Sequence, residues 1–139
     1  MKTLFRSLAL TSVILFAADS ALQAGPVLLG NKGLAGQTLD SDAVKAILLG
    51  KKATIGDSRV IIIIARNSDN QEAFLKNAVG MTTDQFQTYW RRLYMTGGGS
   101  APKVVDTEAD ACKLAADTAG AVAVGDSANA GGLAVLAAK

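Results

Sequence analysis

The sequence contains no histidine and a single cysteine, Cys112, among its 139 residues. Without histidine, neither a Ser-His-Asp triad nor a Cys-His pair can form, and the usual histidine metal sites are also excluded. One cysteine excludes an internal disulfide bond, although an exported protein could carry one. The composition therefore favours a non-enzymatic function, and we predict no catalytic residue, no metal site and no cofactor.

The net charge is also small, because the chain has 14 Lys and Arg residues and 12 Asp and Glu residues, which gives a formal net charge of +2. So small a surplus does not produce the basic field that attracts nucleic acid, and no nucleic-acid partner is expected. After residue 24, no apolar stretch is long enough to cross a bilayer. The run VIIIIA at 60–65 has the length of a strand.

The first 24 residues follow the order of a secretory signal. Lys2 and Arg6 precede the apolar run LALTSVILFAA, and small residues surround Ala24. The alternative is an uncleaved anchor, but Asp19 interrupts the run before it reaches the roughly twenty apolar residues that a bilayer requires. We predict a signal peptide at 1–24 and a single periplasmic domain at 25–139.

Apolar runs alternate with capped helical patterns along this domain. Strands are predicted at 26–31, 60–65, 103–105, 121–126 and 133–137. Helices are predicted to begin near Asp40, Ser68, Thr82 and Thr107, each of which can cap a helix through its side-chain oxygen. Residues 51–58 are polar and predict a turn or a small hairpin. Alternation of this kind predicts an α/β fold in which helices flank a central sheet.

One helix carries the strongest periodic signal of the chain. Its apolar side chains recur at helical spacing and form one stripe: Phe86, Tyr89, Trp90, Leu93 and Tyr94. This pattern predicts packing against the core. Stacking of Tyr89 and Trp90 on a ligand is the weaker alternative.

The stretch VIIIIARNSDNQEAF at 60–74 joins a predicted buried strand to a helix N-terminus, whose free backbone N–H groups attract anions. Arg66 could bind an anion in a bidentate manner, Ser68 through its hydroxyl, and Asn67 or Asn70 through amide donors. The alternative is structural: Ser68 is only a helix cap, three residues before Gln71 as in a capping box, and Arg66 is solvated. Asp69 favours this alternative, because a carboxylate repels an anion.

Three other segments are weaker candidates. The glycine run that contains Gly98 and Ser100 could bring backbone amides close to a ligand, although it lacks the spacing of a phosphate loop. Ser127 lies in GDSAN, which lacks the second glycine and the histidine of a nucleophile elbow. Cys112 is interpreted as a small buried apolar residue.

Three segments together resemble phosphate ABC transporter substrate-binding proteins: DAVKAILLGKK, the run from ARNSDNQEAF through YWRRLYMTGGGSAPKVV, and TAGAVAVGD. They cover most of residues 40–126. In that family an Arg precedes Ser-Gly-Thr at the start of a helix that contacts the ligand. Arg66 and Ser68 match this pattern, whereas Asp69 and Asn70 stand where the family has Gly-Thr.

The resemblance implies a fold like one lobe of a type II periplasmic binding protein, whose full-length members close two lobes on phosphate. It implies binding of phosphate or a similar small anion through Arg66 and Ser68, and the residues considered above add Asn67 and Asn70, with Gly98 and Ser100 as weaker contacts. A membrane transporter or sensor would be the partner, and a homodimer could restore the second face of the site. The alternative is an extracytoplasmic interaction module that kept the lobe and lost the ligand.

Overall fold

The computed structural model describes residues 25–97 and 101–138. The predicted signal peptide at 1–24 and the candidate ligand residues Gly98 and Ser100 lie outside these described residues. Within them, no helix is long and apolar enough to cross a membrane.

The seven strands are β1 (Pro26–Gly30), β2 (Thr54–Ile55), β3 (Ser58–Arg59), β4 (Ile61–Asn67), β5 (Lys103–Thr107), β6 (Ala121–Asp126) and β7 (Ala134–Ala138) among the described residues. The four α-helices of this part of the chain are α1 (Ser41–Leu48), α2 (Asp69–Ala78), α3 (Thr83–Met95) and α4 (Glu108–Asp117). Each predicted strand and helix is therefore confirmed, and the small hairpin predicted within 51–58 is the β2–β3 hairpin, which ends one residue later, at Arg59.

Five strands form one sheet in the order β5-β4-β6-β1-β7. Strand β4 is parallel to β5 and β6, whereas β1 is antiparallel to β6 and β7. Pairing with β5 carries β4 two residues beyond its predicted end, because Asn67 is in register with Thr107. Arg66 and Asn67 thus belong to β4, and the predicted end of this strand at residue 65 is wrong.

The sheet buries a core on each face. Along β4, Ile62 and Ile64 belong to the core beneath α1, α2 and α3, whereas Ile63 and Ala65 belong to the core beneath α4. Burial of one such isoleucine contributes about 1.5–3 kcal/mol. The prediction that this strand is buried is confirmed, and it is buried on both faces; the predicted central sheet flanked by helices is confirmed as well.

Helix α3 is joined to the end of α1 by the aromatic stripe. The indole N–H of Trp90 donates to the Leu48 carbonyl at 2.9 Å, and the Tyr89 hydroxyl donates to the Leu49 carbonyl. Core packing of Phe86 and Trp90 is confirmed, since both are buried. Tyr94 is 58% exposed, so the predicted stripe is wrong at its last position, because the final turn of α3 extends beyond its contact with Gly50.

Candidate anion-binding rim

Parallel pairing of β4 and β5 brings two helix N-termini to the same edge of the sheet. Asn67 and Thr107 are in register, and α2 and α4 begin directly after these strands. Ser68 caps α2 by accepting from the Gln71 N–H, and Thr107 caps α4 by accepting from the Asp110 N–H. Each helix directs partial positive charge toward this edge. We call the edge the rim and define it by Arg66, Ser68, Asn70, Asp106 and Glu108.

Arg66 forms an ion pair across the two strands. Its Nη1 donates to Oδ1 of Asp106 at 2.9 Å, and the side chains are 63% and 70% exposed. A solvated pair of this kind contributes only about 0–1 kcal/mol to stability. Arg66, which was predicted to contact a ligand, therefore has its guanidinium paired with Asp106, a carboxylate that the sequence pattern did not reveal.

Ser68 and Asn70 both bind one oxygen of Glu108. The Ser68 hydroxyl donates to Oε1 at 3.1 Å, and Nδ2 of Asn70 donates to the same oxygen at 2.9 Å. Glu108 is the first residue of α4, so its carboxylate lies where the N-termini of both helices favour negative charge. The Ser68 hydroxyl and the Asn70 amide, which were predicted to bind an anion from solution, thus bind the carboxylate of Glu108.

The predicted site residue Asn67 and the neighbouring Asp69 stand apart from this arrangement. Asn67 and Asp69 are exposed, and within the described residues neither side chain forms a hydrogen bond or an ion pair. Asp106 and Glu108 give the rim two carboxylates against the single guanidinium of Arg66, and the exposed Asp69, next to Ser68 in sequence, adds a third carboxylate close to the rim.

Gln71 holds α2 against β4 beneath the rim. Its side chain accepts from the Ala65 N–H and donates to the Ala65 carbonyl, both at 2.7 Å, and it also contacts the Thr83 hydroxyl. Because Gln71 is buried and turned toward β4, its side chain does not reach back to Ser68. The capping box predicted for Ser68 and Gln71 is wrong, although the Ser68 cap itself is confirmed. At the start of α3, where a cap at Thr82 was predicted, Thr82 and Gln85 do form a capping box.

The weaker candidates have structural roles where the structure describes them. Thr96, beside the glycine run, donates its hydroxyl to the carbonyls of Arg92 and Leu93 and ends α3. Cys112 is half-buried in α4, and burial, followed by the nearby charge of Glu108, raises the pKa of its thiol. Among residues 25–97 and 101–138, no group of three or more potential ligands could hold a metal ion.

Asp106 and Glu108 are the residues that sequence reasoning missed. Their signal was a second strand followed by a capping residue and an acidic first turn, the same order as around Ser68. Only the parallel register of β4 and β5 shows that the two caps lie side by side.

No protein-family model and no curated protein match the sequence. A phosphate ABC transporter substrate-binding protein with bound phosphate from Clostridium perfringens is similar in structure, with a TM-score of 0.60 and 12% identity over 81% of this chain and 44% of its own. An ABC-type phosphate transport receptor from Vibrio cholerae gives a TM-score of 0.59 and 9% identity over 81% of this chain and 45% of its own.

At these identities the likeness shows the fold. The chain spans less than half the length of each neighbour and matches one lobe of these periplasmic binding proteins. The expectation of a single α/β lobe is thereby confirmed, and the structural neighbours are of the kind that the sequence motifs resemble.

Proposed function

We propose that the protein is an exported, non-catalytic binder of a small oxyanion, with phosphate as the first candidate and the rim as its site. The observation that supports this is the convergence of the Ser68 hydroxyl and the Asn70 amide on one carboxylate oxygen at the N-terminus of α2. Two donors at a helix N-terminus suit an oxyanion as well as a carboxylate. Arg66 adds a charged donor on the adjacent strand.

The carboxylates of the rim favour an anion that still carries a proton. Near neutral pH phosphate retains at least one proton, which it can donate to Asp106 or Glu108, whereas sulfate retains none. An ionised carboxylate only accepts hydrogen bonds, so it repels sulfate without compensation. Phosphate is therefore expected to bind more tightly than sulfate.

The structural neighbours support a role in solute binding for transport. Both are proteins of phosphate transport, and both share this lobe. On this proposal the protein acts in the periplasm, after removal of residues 1–24. Its partner is a membrane transporter that receives the ligand, or a membrane sensor that binds the ligand-bound protein. A second copy of the chain would supply the face that the exposed Arg66 lacks.

Isothermal titration of residues 25–139, which contain every described element, tests the proposal with phosphate and then sulfate. Saturable phosphate binding should stabilise the fold by about 2.7 kcal/mol at a hundredfold excess over Kd. Arg66→Ala and Asn70→Ala should each weaken binding at least about tenfold, since each removes a donor worth about 1.5 kcal/mol or more. Lys76→Ala, which removes an exposed charge from the last turn of α2, is the matched control.

Absence of heat and of stabilisation up to millimolar phosphate would reject anion binding. The second candidate, an interaction module, is favoured by the internal partners that Arg66, Ser68 and Asn70 already have. If that candidate holds, Arg66→Ala leaves both unfolding free energy and capture by the membrane partner unchanged. Light scattering with and without phosphate would show whether a homodimer forms.

A further inference from the structure

A second concave site lies at the opposite end of the parallel strands from the rim. It is a cavity of about 400 Å³ where β4 and β5 begin, and Ile61 and Lys103, the first residues of these strands, line it. This volume lies within the range of small-molecule sites. The remaining described walls come from the end of α1 and the segment after it, from β3 and the residue after it, from α3, and from Ala101 before β5.

The floor of this cavity is apolar. Ile47, Val60, Ile62 and Trp90 line it, and three of the four are buried in the core. The Trp90 N–H is already bound to the Leu48 carbonyl, so the rest of its ring offers apolar surface. Gly50, whose φ is +76°, lets the indole approach, because a β-carbon there would lie 2.8 Å from Cη2 of Trp90.

The edge of the cavity is basic. Lys52, Arg59 and Lys103 line it, and no Asp or Glu does so among the described residues. Within the part of the chain that the structure describes, these three side chains form no ion pair and no hydrogen bond. The rim is the reverse case, because its guanidinium is paired with Asp106 and its carboxylates are in excess.

Neither inorganic phosphate nor a neutral hydrocarbon would match both the apolar floor and the basic edge of the cavity. Inorganic phosphate would leave the apolar floor unfilled, and a neutral hydrocarbon would leave three cations without a counter-charge. We infer that the cavity binds a small organic anion with an apolar body, such as a medium-chain carboxylate. The body would contact Trp90 and Ile62, and the carboxylate would accept hydrogen bonds from Lys52, Arg59 or Lys103. This site is independent of the rim and of the function proposed for it.

Trp90 is the single tryptophan of the sequence and lines the cavity, so its fluorescence reports directly on ligand entry. The probes are decanoate below its micelle concentration, decanol, acetate and inorganic phosphate. A saturable emission change is expected with decanoate, at least tenfold weaker binding with decanol, and no response to acetate or phosphate. Binding of decanoate should also weaken as sodium chloride is raised, because charge attraction is screened.

A charge-removal triple provides the decisive comparison. We expect at least a tenfold loss of decanoate affinity when three cations of the cavity edge are replaced together: Lys52→Gln, Arg59→Gln and Lys103→Gln. The matched control removes the same charge from three exposed lysines that do not line the cavity: Lys32→Gln, Lys45→Gln and Lys76→Gln. The control should bind decanoate as the parent does, and urea midpoints show whether both triples remain folded.

Equal affinity for decanoate and decanol would overturn the inference and leave an apolar cleft without charge selection. Equal losses in the two triples, or no response to any probe, would also overturn it. So would an emission change seen only with vesicles that contain anionic lipid, since that would indicate a membrane-binding surface. Arg66→Ala should leave decanoate binding intact, so failure of phosphate binding at the rim and failure at this cavity are separately visible.

Discussion

Gly120 is the position where one added methyl group should have the largest effect on the fold. It precedes β6 with a φ of +76°, and a β-carbon there would lie 2.1 Å from the carbonyl oxygen of Arg59. Its own carbonyl accepts from the Ile61 N–H at 3.0 Å, which starts the β4–β6 pairing. Gly120→Ala therefore perturbs the backbone that carries Arg59 and the first residue of β4.

Two contributions set the expected loss of unfolding free energy in Gly120→Ala. An alanine at this φ costs about 1–2 kcal/mol, because its β-carbon crowds the following carbonyl. The clash adds about 1–3 kcal/mol, as for overpacking elsewhere, because backbone atoms cannot move aside by changing a rotamer. Gly80 has a similar φ of +71° but no neighbouring atom within 4 Å of an added β-carbon. Gly80→Ala therefore carries the first contribution alone and is the matched control.

Equilibrium unfolding in urea measures both variants of residues 25–139. We expect Gly120→Ala to lower the free energy of unfolding by about 2–5 kcal/mol and Gly80→Ala by about 1–2 kcal/mol. A lower midpoint with an unchanged m-value would show that the native state lost stability. Equal losses in the two variants would refute the reasoning, because they would show that the close approach to Arg59 has no energetic consequence.

Three further predictions concern the rim and the helices behind it. Gln71→Ala should lower the free energy of unfolding by about 2–4 kcal/mol in urea, since it leaves both buried polar groups of Ala65 unpaired; an effect below about 1 kcal/mol would contradict this role. If the rim binds phosphate, Glu108→Gln should tighten binding about tenfold or more in calorimetry, because it removes a competing charge but keeps an acceptor oxygen; unchanged affinity would exclude this competition. Burial raises the pKa of the Cys112 thiol, so the neutral thiol contributes stability below its unfolded pKa, and this contribution is lost as pH rises through the folded pKa. Urea midpoints above pH 8 should therefore fall more steeply for the parent than for Cys112→Ala, and parallel curves would refute the shift.

Gln71 shows why a local sequence pattern can predict the wrong hydrogen-bond partner. Its spacing from Ser68 is that of a capping box, and the same spacing at Thr82 and Gln85 does form one. The difference arises because Gln71 faces β4, where the Ala65 backbone offers both a donor and an acceptor in a buried position. A local pattern predicts which bonds a side chain can make, but a tertiary neighbour decides which of them forms.

The order and type of the elements follow from local sequence alone, since they depend on interactions within about four residues. A β-branched run requires no distant partner to favour a strand, and the caps at Asp40, Thr82 and Thr107 bond to N–H groups three residues on. These parts of the fold were therefore predicted with bounds close to those observed.

The residues that make up the two candidate sites, in contrast, depend on pairing between segments that are far apart in the chain. Glu108 meets Ser68 across 40 residues of chain because β4 and β5 pair in parallel, with Asn67 in register with Thr107. The same pairing places Lys103 beside the start of β4 and makes it part of the basic edge of the cavity. Strand register between distant segments is set by the packing of the whole sheet, so no short stretch of sequence carries it.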